Sequence, residues 1–227
     1  YGFPADLTAD VVREHELKVD MKGFQAAMHQ QRSSARAASN FGVVEKLNID
    51  PSLTTDFTGY DSLDGEGRII EIFTIDGEKL EKVPADEEVY LLLDKSPFYG
   101  ESGGQIGDKG LLRNHNGQFK VLDTKKQGDN HIHRGVLSLG SWQINDIVEA
   151  EVAVKERRAT TLNHSATHLM HAALRNTLGT HVSQKGSLVD AERLRFDFSH
   201  PKAVTEAELA IIELHVNDEF LANSQVG

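Results

Sequence analysis

The chain has 227 residues with 35 acidic and 24 basic side chains, a formal net charge of −11, and no cysteine. This composition excludes disulfides and thiolate metal ligands within these residues, and no apolar run is long enough to span a membrane. Nothing at the N-terminus reads as a signal peptide, so we expect a cytoplasmic location; a start at Tyr1 without Met suggests an internal piece of a longer protein.

The charge is unevenly distributed along the chain. Residues 1–90 hold 18 acidic and 9 basic side chains, whereas residues 151–202 hold 5 acidic and 8 basic ones, with five of the eleven histidines. Averaged over the chain, the negative charge argues against nucleic-acid binding, but the basic segment suits a phosphate backbone. Ordinary scatter of surface charge is the alternative.

The first third of the chain predicts helices followed by a connector. Thr8 is expected to cap a helix that ends near Leu17, and Asp20 to cap a second helix that extends to about Ala38. Between residues 40 and 67, Asn, Asp, Pro and Gly recur too often for a long regular element. We therefore predict a connector there, with one short helix or strand at most.

From residue 68 the hydrophobic period changes to two, which predicts strands. Turns are indicated at Asp76-Gly77 and Asn116-Gly117. Short strands separated by turn signals favour a small closed or nearly closed β-barrel. We place the strands at residues 68–74, 89–93, 110–113, 118–124, 132–137 and 147–154.

A glycine-rich loop, residues 100–110, lies between two of these strands. Its Gly103-Gly104 pair permits backbone conformations that other residues rarely adopt, and exposed N–H groups in such a loop can approach a phosphate. The loop lacks the lysine and the following helix of a P-loop, which excludes nucleoside triphosphate binding of that kind. From spacing alone, a tight turn at the barrel rim is the simpler interpretation.

The candidate metal-binding residues lie on a helix that is predicted over residues 155–178 and that ends at Gly179. His164 and His168 are four residues apart, which places both rings on one helix face, where they can ligate one metal ion. Two histidines on a polar face are the plainer alternative. The stripe of this helix that we expect to be buried is marked by Ala159, Leu162, Ala166, Leu169 and Ala173.

A hairpin and a further helix are predicted after this one. Residues 182–189 and 193–198 form two strands, and polar and apolar side chains alternate in the second. Thr205 and Glu208 form a capping box for a helix that extends to about Leu221. Its buried side is expected at Ala207, Ile211, Leu214 and Val216.

Several stretches together resemble the alanyl-tRNA synthetase family. YGFPADLT at residues 1–8 is similar to the end of its tRNA-recognition helices, and PFYGESGGQIGDKG at residues 97–110 to its glycine-rich barrel motif. Its editing domain is resembled by HSATHL, GTHVSQKGSLV and LRFDFSH, which begin at His164, Gly179 and Leu194. The resemblance follows the family's order to about Phe220 and does not reach the ATP-dependent aminoacylation domain.

The resemblance implies an α+β architecture in three parts. Residues 1–65 are then the end of the helical tRNA-recognition region with its connector, and residues 66–154 a small antiparallel β-barrel of translation-protein type. Residues 155–227 are the N-terminal part of an editing domain with its HxxxH helix. The implied partner is the acceptor end of tRNA(Ala), and the implied reaction is hydrolysis of Ser-tRNA(Ala) or Gly-tRNA(Ala). The sequence leaves the oligomeric state open.

The resemblance also assigns roles to single residues. His164 and His168 are implied Zn²⁺ ligands, and the other ligands come from a downstream Cys-xxx-His motif that these residues lack. ATP and Mg²⁺ are implied only for the aminoacylation domain. Thr167, whose hydroxyl can hydrogen-bond a serine side chain, and Gln184 are the candidate catalytic residues. Candidate contacts to substrate or tRNA are Gly103, Gly104, Gln105, Arg157, Arg158, Lys185, Ser187 and Arg195.

Two other functions stay open at this point. The chain can be a tRNA-binding and domain-positioning module with no activity of its own. An unrelated zinc hydrolase is less favoured, because HSATH lacks the glutamate that serves as general base in HExxH. His171, His181 and His200 are conceivable replacement ligands, but none has a matching role in the family.

Overall fold

The structure, a computed structural model, describes residues 46–222 and, before them, residues 19–21, 23, 24 and 27. The chain forms two compact units, Tyr1–Glu45 and Lys46–Gly227. In the first unit, Oδ1 of Asp20 accepts a hydrogen bond from the backbone N–H of Gly23 at 2.9 Å, which confirms Asp20 as a helix cap. The helix predicted after Thr8, and the end of the second helix near Ala38, lie outside the described residues.

The described part of the second unit contains eleven strands and two helices, with the bounds that follow. The strands are β1 (Asp56–Phe57), β2 (Asp64–Thr74), β3 (Lys79–Leu80), β4 (Glu88–Leu93), β5 (Lys95–Ser96), β6 (Gly110–Asn114), β7 (Gly117–Gln127), β8 (Asn130–Gly140), β9 (Ile147–Val152), β10 (Gln184–Val189) and β11 (Leu194–Phe198). Between β9 and β10 lies helix α1 (Val154–Leu178), and after β11 comes helix α2 (Glu206–Ala222). Neither of these helices is long and apolar enough to cross a membrane.

Six antiparallel strands close into the predicted barrel. Their order is β2-β4-β8-β7-β6-β9, and the pairing of β9 with β2 completes the ring. The long strand β2 takes part twice: Asp64 to Arg68 pair with β9, and Ile69 to Thr74 pair with β4. The inward side chains of these strands and of the segments between them form one hydrophobic cluster, whose largest members are Trp142, Phe98, Phe119, Ile69 and Ile72.

The predicted turns occur where the sequence places them. Gly77 has a φ of 89°, which allows the chain to reverse between β2 and β3. Strands β6 and β7 pair from Gly110 opposite Val121 to Asn114 opposite Gly117, so they form the expected hairpin around residues 115 and 116. Strands β7 and β8 are longer than predicted, because both continue past the barrel core to a turn at Gly128, φ 62°.

A second hydrophobic cluster lies among α1, α2 and the hairpin β10–β11. Its buried members are Ala173 and Leu174 of α1, Val182 of the segment between α1 and β10, and Ile212 of α2. Phe196 and Phe198 of β11 pack against them. Helix α1 ends at Gly179 (φ 115°), whose N–H donates to the carbonyl of Arg175, and α2 begins with the predicted Thr205–Glu208 capping box. The predicted hairpin and both helices are thereby confirmed.

The expectations about the two helix faces are correct only in part: Ala173 is buried and Val216 packs on the cluster as predicted, but other members of the predicted faces are exposed. Leu162 is 52% exposed, because the buried face of α1 passes through Thr160 and Thr167 instead. On α2 the buried residue is Ile212, whereas Ile211 and Leu214 are exposed. Since α2 carries apolar side chains on several sides, the period alone does not identify the face that packs.

Candidate functional site

His164 and His168 lie on consecutive turns of α1. Their rings stack with centroids 5.0 Å apart, and their Nε2 atoms are 3.1 Å apart. Two nitrogen ligands of a tetrahedral zinc ion, each about 2.05 Å from the metal, lie about 3.3 Å from one another. The histidine pair therefore fits two adjacent ligand positions around a single ion.

The ring of His164 is oriented by Gln105 of the glycine-rich loop. Nδ1 of His164 donates to Oε1 of Gln105 at 2.6 Å, and Gln105 is only 7% exposed. Because an amide oxygen only accepts, Nδ1 carries the proton, and Nε2 of the neutral ring keeps its lone pair on the side of His168. Partial burial, and then the neighbouring His168, lower the pKa of His164, which favours this neutral form at pH 7.

The glycine-rich loop is fastened to the hairpin, which is how Gln105 reaches the helix. The N–H of Val189 donates to the carbonyl of Gly104 at 2.7 Å, and the N–H of Ile106 donates to the carbonyl of Val189 at 3.1 Å. At its start, the loop is bound to the barrel by the N–H of Glu101 and the carbonyl of Thr124, 2.9 Å apart. The loop thus connects the barrel to the second cluster.

Both central glycines adopt backbone conformations with positive φ, which glycine permits and other residues rarely adopt. Gly103 has a φ of 61° and Gly104 a φ of 88°. A Cβ atom on Gly104 would lie 2.7 Å from the carbonyl oxygen of Ser187, whereas one on Gly103 would meet nothing. Gly104 and Ser187, both candidate substrate contacts, therefore lie directly against one another.

Thr167 lies at the buried edge of the histidine face, about 60° around the helix axis from His164. Its hydroxyl donates to the carbonyl of Asn163 at 2.8 Å, and its side chain is almost fully buried. The amide of Asn163 donates to the carbonyl of Asp190 at 2.8 Å and so fixes α1 to the hairpin turn. Because the hydrogen of Thr167 is already engaged, its hydroxyl can only accept a bond from a substrate.

The other candidate residues of the hairpin face solvent. Gln184 is exposed at the start of β10, opposite Phe198. A register shift between Gln184 and Gly186 follows, and it takes the exposed Lys185 out of the ladder. Arg195 is also exposed and pairs with Asp197 at 3.1 Å. Exposed ion pairs contribute little free energy, so Arg195 can exchange this carboxylate for a phosphate.

The two neighbouring arginines of α1 have different surroundings. Nε of Arg157 donates to both carboxylate oxygens of Asp108 at 2.9 Å, and its Nη atoms donate to the carbonyls of Gly59 at 2.9 Å and Pro97 at 3.0 Å. The Arg157 side chain is 12% exposed. Arg158, in contrast, is exposed. The geometry therefore gives Arg157 a positioning role inside the protein and leaves Arg158 as the candidate for a phosphate contact.

The three further histidines near this region do not join the pair. His171 packs against Phe196 with the ring centroids 5.0 Å apart and the ring planes tilted by 43°. His181 and His200 contact one another, Nε2 to Nδ1, at 2.8 Å. Within the part of the chain that the structure describes, no group of three or more His, Asp or Glu side chains is arranged to hold a metal ion.

Two residues that hold the site together were not identified from the sequence. Asp108, the partner of Arg157, also accepts from the N–H of Tyr99 at 2.7 Å; its only signal was its position inside the glycine-rich stretch. Asn163 had a usable signal, because asparagine is unfavourable in the interior of a helix unless its side chain has a partner elsewhere.

Comparisons with known proteins identify relatives of this chain. Residues 1–156 match the family of tRNA synthetases class II (A). The whole chain is similar to the alanine–tRNA ligases of Nitrosococcus oceani, 51% identical over 228 residues, and Methylococcus capsulatus, 51% identical over 227 residues. It is also similar to that of Shewanella amazonensis, 50% identical over 226 residues. All of this chain is covered in each case, but it spans only 26% of the length of each relative.

Proposed function

Since the chain belongs to the tRNA synthetases of class II (A), we propose that it is the part of an alanine–tRNA ligase that edits mischarged tRNA. Its substrates are Ser-tRNA(Ala) and Gly-tRNA(Ala), and its partner is the acceptor end of tRNA(Ala). ATP-dependent aminoacylation, with Mg²⁺, belongs to another part of such a protein. We place this activity in the cytoplasm, where proteins are synthesised. Support comes from alanine–tRNA ligases that are 47–51% identical over the whole chain.

A ligase for alanine needs a second site for physical reasons. A pocket that accepts the methyl group of alanine cannot exclude glycine, which only leaves a gap, nor strongly reject serine, which adds one hydroxyl. Binding alone discriminates such pairs by about 10²-fold at best. A separate pocket that recognises the wrong amino acid and hydrolyses its ester supplies the missing selectivity.

The observation that carries the proposal is the arrangement of His164, His168 and Gln105. The two Nε2 atoms are 3.1 Å apart, and Gln105 holds the proton of His164 on Nδ1, away from them. Such an outer hydrogen bond is typical of histidines that bind metals. We propose these histidines as two ligands of Zn²⁺, which when bound polarises a carbonyl and lowers the pKa of a bound water. The remaining ligands are expected outside the described residues.

The reaction joins a water oxygen to the ester carbonyl carbon and breaks the carbon–oxygen bond to the ribose, whose oxygen takes up a proton. The contribution of this chain is to bind and orient the ester. Thr167 accepts a hydrogen bond from the hydroxyl of a serine, a contact that alanine cannot make. Gln184, exposed on β10, holds the ester or a water. Ser187, on the same strand, lies against Gly104 of the glycine-rich loop.

The test compares variants of the complete protein. His164→Ala is expected to abolish both zinc binding and deacylation of Ser-tRNA(Ala), because it removes one ligand, while aminoacylation with alanine continues. Gln105→Leu, which leaves Nδ1 of His164 without an acceptor, is expected to weaken zinc binding about 10- to 100-fold. Zinc is measured by competition with a chelator, and Gln143→Leu, at an exposed site elsewhere on the barrel, is the matched control.

Two outcomes would contradict the proposal. One is unchanged deacylation in His164→Ala, and the other is full zinc occupancy after both histidines are replaced. The 227-residue chain by itself is expected to hold zinc weakly, because two ligands give low affinity. Chelator-resistant zinc in this chain would instead show that His171, His181, His200 or a carboxylate completes the site. If the complete protein binds tRNA but does not hydrolyse the ester, this chain is instead a positioning module.

A further inference from the structure

An open cleft of about 600 Å³ lies beside His164 and the first turns of α1. His164 lies at one end of it, and Arg158 and Thr161 are on its helical side. The other side is formed by Gly59 and Tyr60 of the segment between β1 and β2, and by Tyr99 and Gln105 of the glycine-rich loop. Much of the wall is apolar or aromatic, through Tyr60, Leu63, Tyr99, Val154 and Leu162.

Tyr60 is the most exposed of these rings and is nevertheless held in place. It is 86% exposed, and its ring packs edge to face against Phe57, with centroids 5.0 Å apart at 80°. Phe57 is supported in turn by His131 at 4.8 Å and Tyr99 at 6.2 Å. An aromatic ring that contacts one neighbour and is otherwise open to solvent is suited to stacking with another planar ring.

The backbone beside Tyr60 is fixed by the same arginine that joins α1 to the barrel. Nη1 of Arg157 donates to the carbonyl of Gly59 at 2.9 Å. A Cβ on Gly59 would lie 2.2 Å from the carbonyl oxygen of Pro97, so this approach requires glycine. The position of Tyr60 relative to α1 is therefore set by buried contacts rather than by a free loop.

Length and charge indicate what the cleft accepts. His164 and Arg158 are separated by six residues, which is about 9 Å along the helix axis and about 120° around it, so their side chains reach the cleft from its two flanks. A single nucleotide can bridge this separation, with its ribose ester at the histidines and its phosphate at the cation. Its base then faces the apolar wall between them, where Tyr60 and Leu162 are exposed. Base–aromatic stacking with a nearby cation is the usual way in which proteins hold single-stranded nucleic acid.

We propose that this cleft is the subsite for the terminal nucleotide of the tRNA acceptor end, with its base stacked on Tyr60 and its phosphate paired with Arg158. This proposal rests on the proposed function, because it takes the histidine pair as the place of the ester. It adds the surface that would hold the end of the RNA while the amino acid is in the pocket, and it gives the exposed Leu162 a role.

The test uses the 227-residue chain and an acceptor-stem minihelix in which 2-aminopurine replaces the terminal base. Stacking quenches the fluorescence of 2-aminopurine, so addition of the chain is expected to reduce the signal. Tyr60→Phe keeps the ring and is expected to keep the quenching. Tyr60→Leu and Tyr60→Ala are expected to lose it and to bind the minihelix about tenfold or more weakly. Leu139→Ala, at a 69% exposed apolar site on β8, is the matched control.

Because Tyr60 is so exposed, its variants should melt at the temperature of the unchanged chain, which shows that any lost signal is not unfolding. The proposal is overturned if the unchanged chain does not quench the minihelix, or if all Tyr60 variants quench it equally. It is also overturned if, in the complete protein, Tyr60→Ala changes hydrogen exchange but not binding of the minihelix, because another protein segment then covers the cleft. These results do not depend on zinc or hydrolysis, so they separate failure of this subsite from failure of the editing function.

Discussion

At the scale of the residue, Arg157 joins three segments that are distant in the sequence. Its guanidinium binds the carboxylate of Asp108 and the carbonyls of Gly59 and Pro97. Both charged groups are nearly buried, with side-chain exposures of 12% and 6%. A planar guanidinium reaches all of these acceptors at once, which a single ammonium group cannot do.

Arg157→Ala is therefore expected to lower the free energy of unfolding by about 3–5 kcal/mol, because it leaves the carboxylate of Asp108 buried without its cation. Arg158→Ala, one residue further on an exposed face, should change that free energy by at most about 0.5 kcal/mol. Urea denaturation followed by circular dichroism measures both. Arg157→Lys should recover only part of the loss.

The variants Arg157→Ala and Arg158→Ala also distinguish an effect on stability from an effect on RNA binding. Arg158→Ala is expected to reduce the dependence of tRNA binding on salt concentration by about one phosphate contact. Equal loss of stability in the two variants, or an unchanged salt dependence in Arg158→Ala, would contradict the roles that the geometry gives them.

At the scale of the element, helix α1 connects the two hydrophobic clusters, and the glycine-rich loop runs beside it. The first turns of α1 are held by the barrel through Arg157, and its last turns pack on α2 and the hairpin. The loop makes the same connection by backbone hydrogen bonds to Val189 and by the contact of Gln105 with His164. The histidine pair thus lies where both connections meet.

The contribution of the glycine-rich loop to stability can be tested by replacing each of its two adjacent glycines with alanine. Both have positive φ, so an alanine at either is strained by about 1–2 kcal/mol. Only at Gly104 would the new Cβ also meet backbone, 2.7 Å from the carbonyl oxygen of Ser187. Gly104→Ala is therefore expected to destabilise the protein more than Gly103→Ala, and to speed hydrogen exchange at the N–H of Val189, which bonds to residue 104. Similar exchange rates in both variants would show that the loop does not depend on this close approach.

At the scale of the whole molecule, stability and pH are linked through a buried histidine in the barrel. His133 is fully buried; Nδ1 donates to the carbonyl of Leu91 at 3.1 Å, and Nε2 accepts from the hydroxyl of Ser96 at 2.7 Å. Both bonds are made by the neutral ring. Desolvation by burial lowers the pKa of His133 from 6.5 to about 4. His131, which is also buried, has its pKa lowered chiefly by the same cause.

Acid should therefore destabilise the barrel in a defined window. The unfolded chain takes up a proton at His133 near pH 6.5, but the folded chain does so only near pH 4. Stability from this residue is complete above pH 6.5 and falls by about 1.4 kcal/mol per pH unit towards pH 4. Between pH 7 and pH 5, His133→Gln should show a smaller fall in the free energy of unfolding than the unchanged chain. His115→Gln, at an exposed position, is the control and should keep the full slope.

Short stretches of sequence are enough to predict most of the strands, turns and helix caps of this protein. Alternating strands, the glycine turns and the Thr205–Glu208 capping box are set by hydrophobic period and by backbone geometry within a few residues, so they could be predicted. The four-residue spacing of His164 and His168 likewise fixed their common helix face. The boundaries at residues 65 and 154 remain predictions, although the hydrophobic cluster does change at the start of α1.

Which side chains are buried, and which distant residues contact one another, depends on how the elements pack together. Arg157 and Arg158 are equivalent in the sequence, and Gln105 and His164 are 59 residues apart. Arg157 is buried and joins distant segments, and Gln105 orients His164, because the pairing of β9 with β2 closes the barrel and places α1 beside the loop. Burial, and with it the choice between a partner inside the protein and one in solution, is a property of packed neighbours, which local periodicity does not contain.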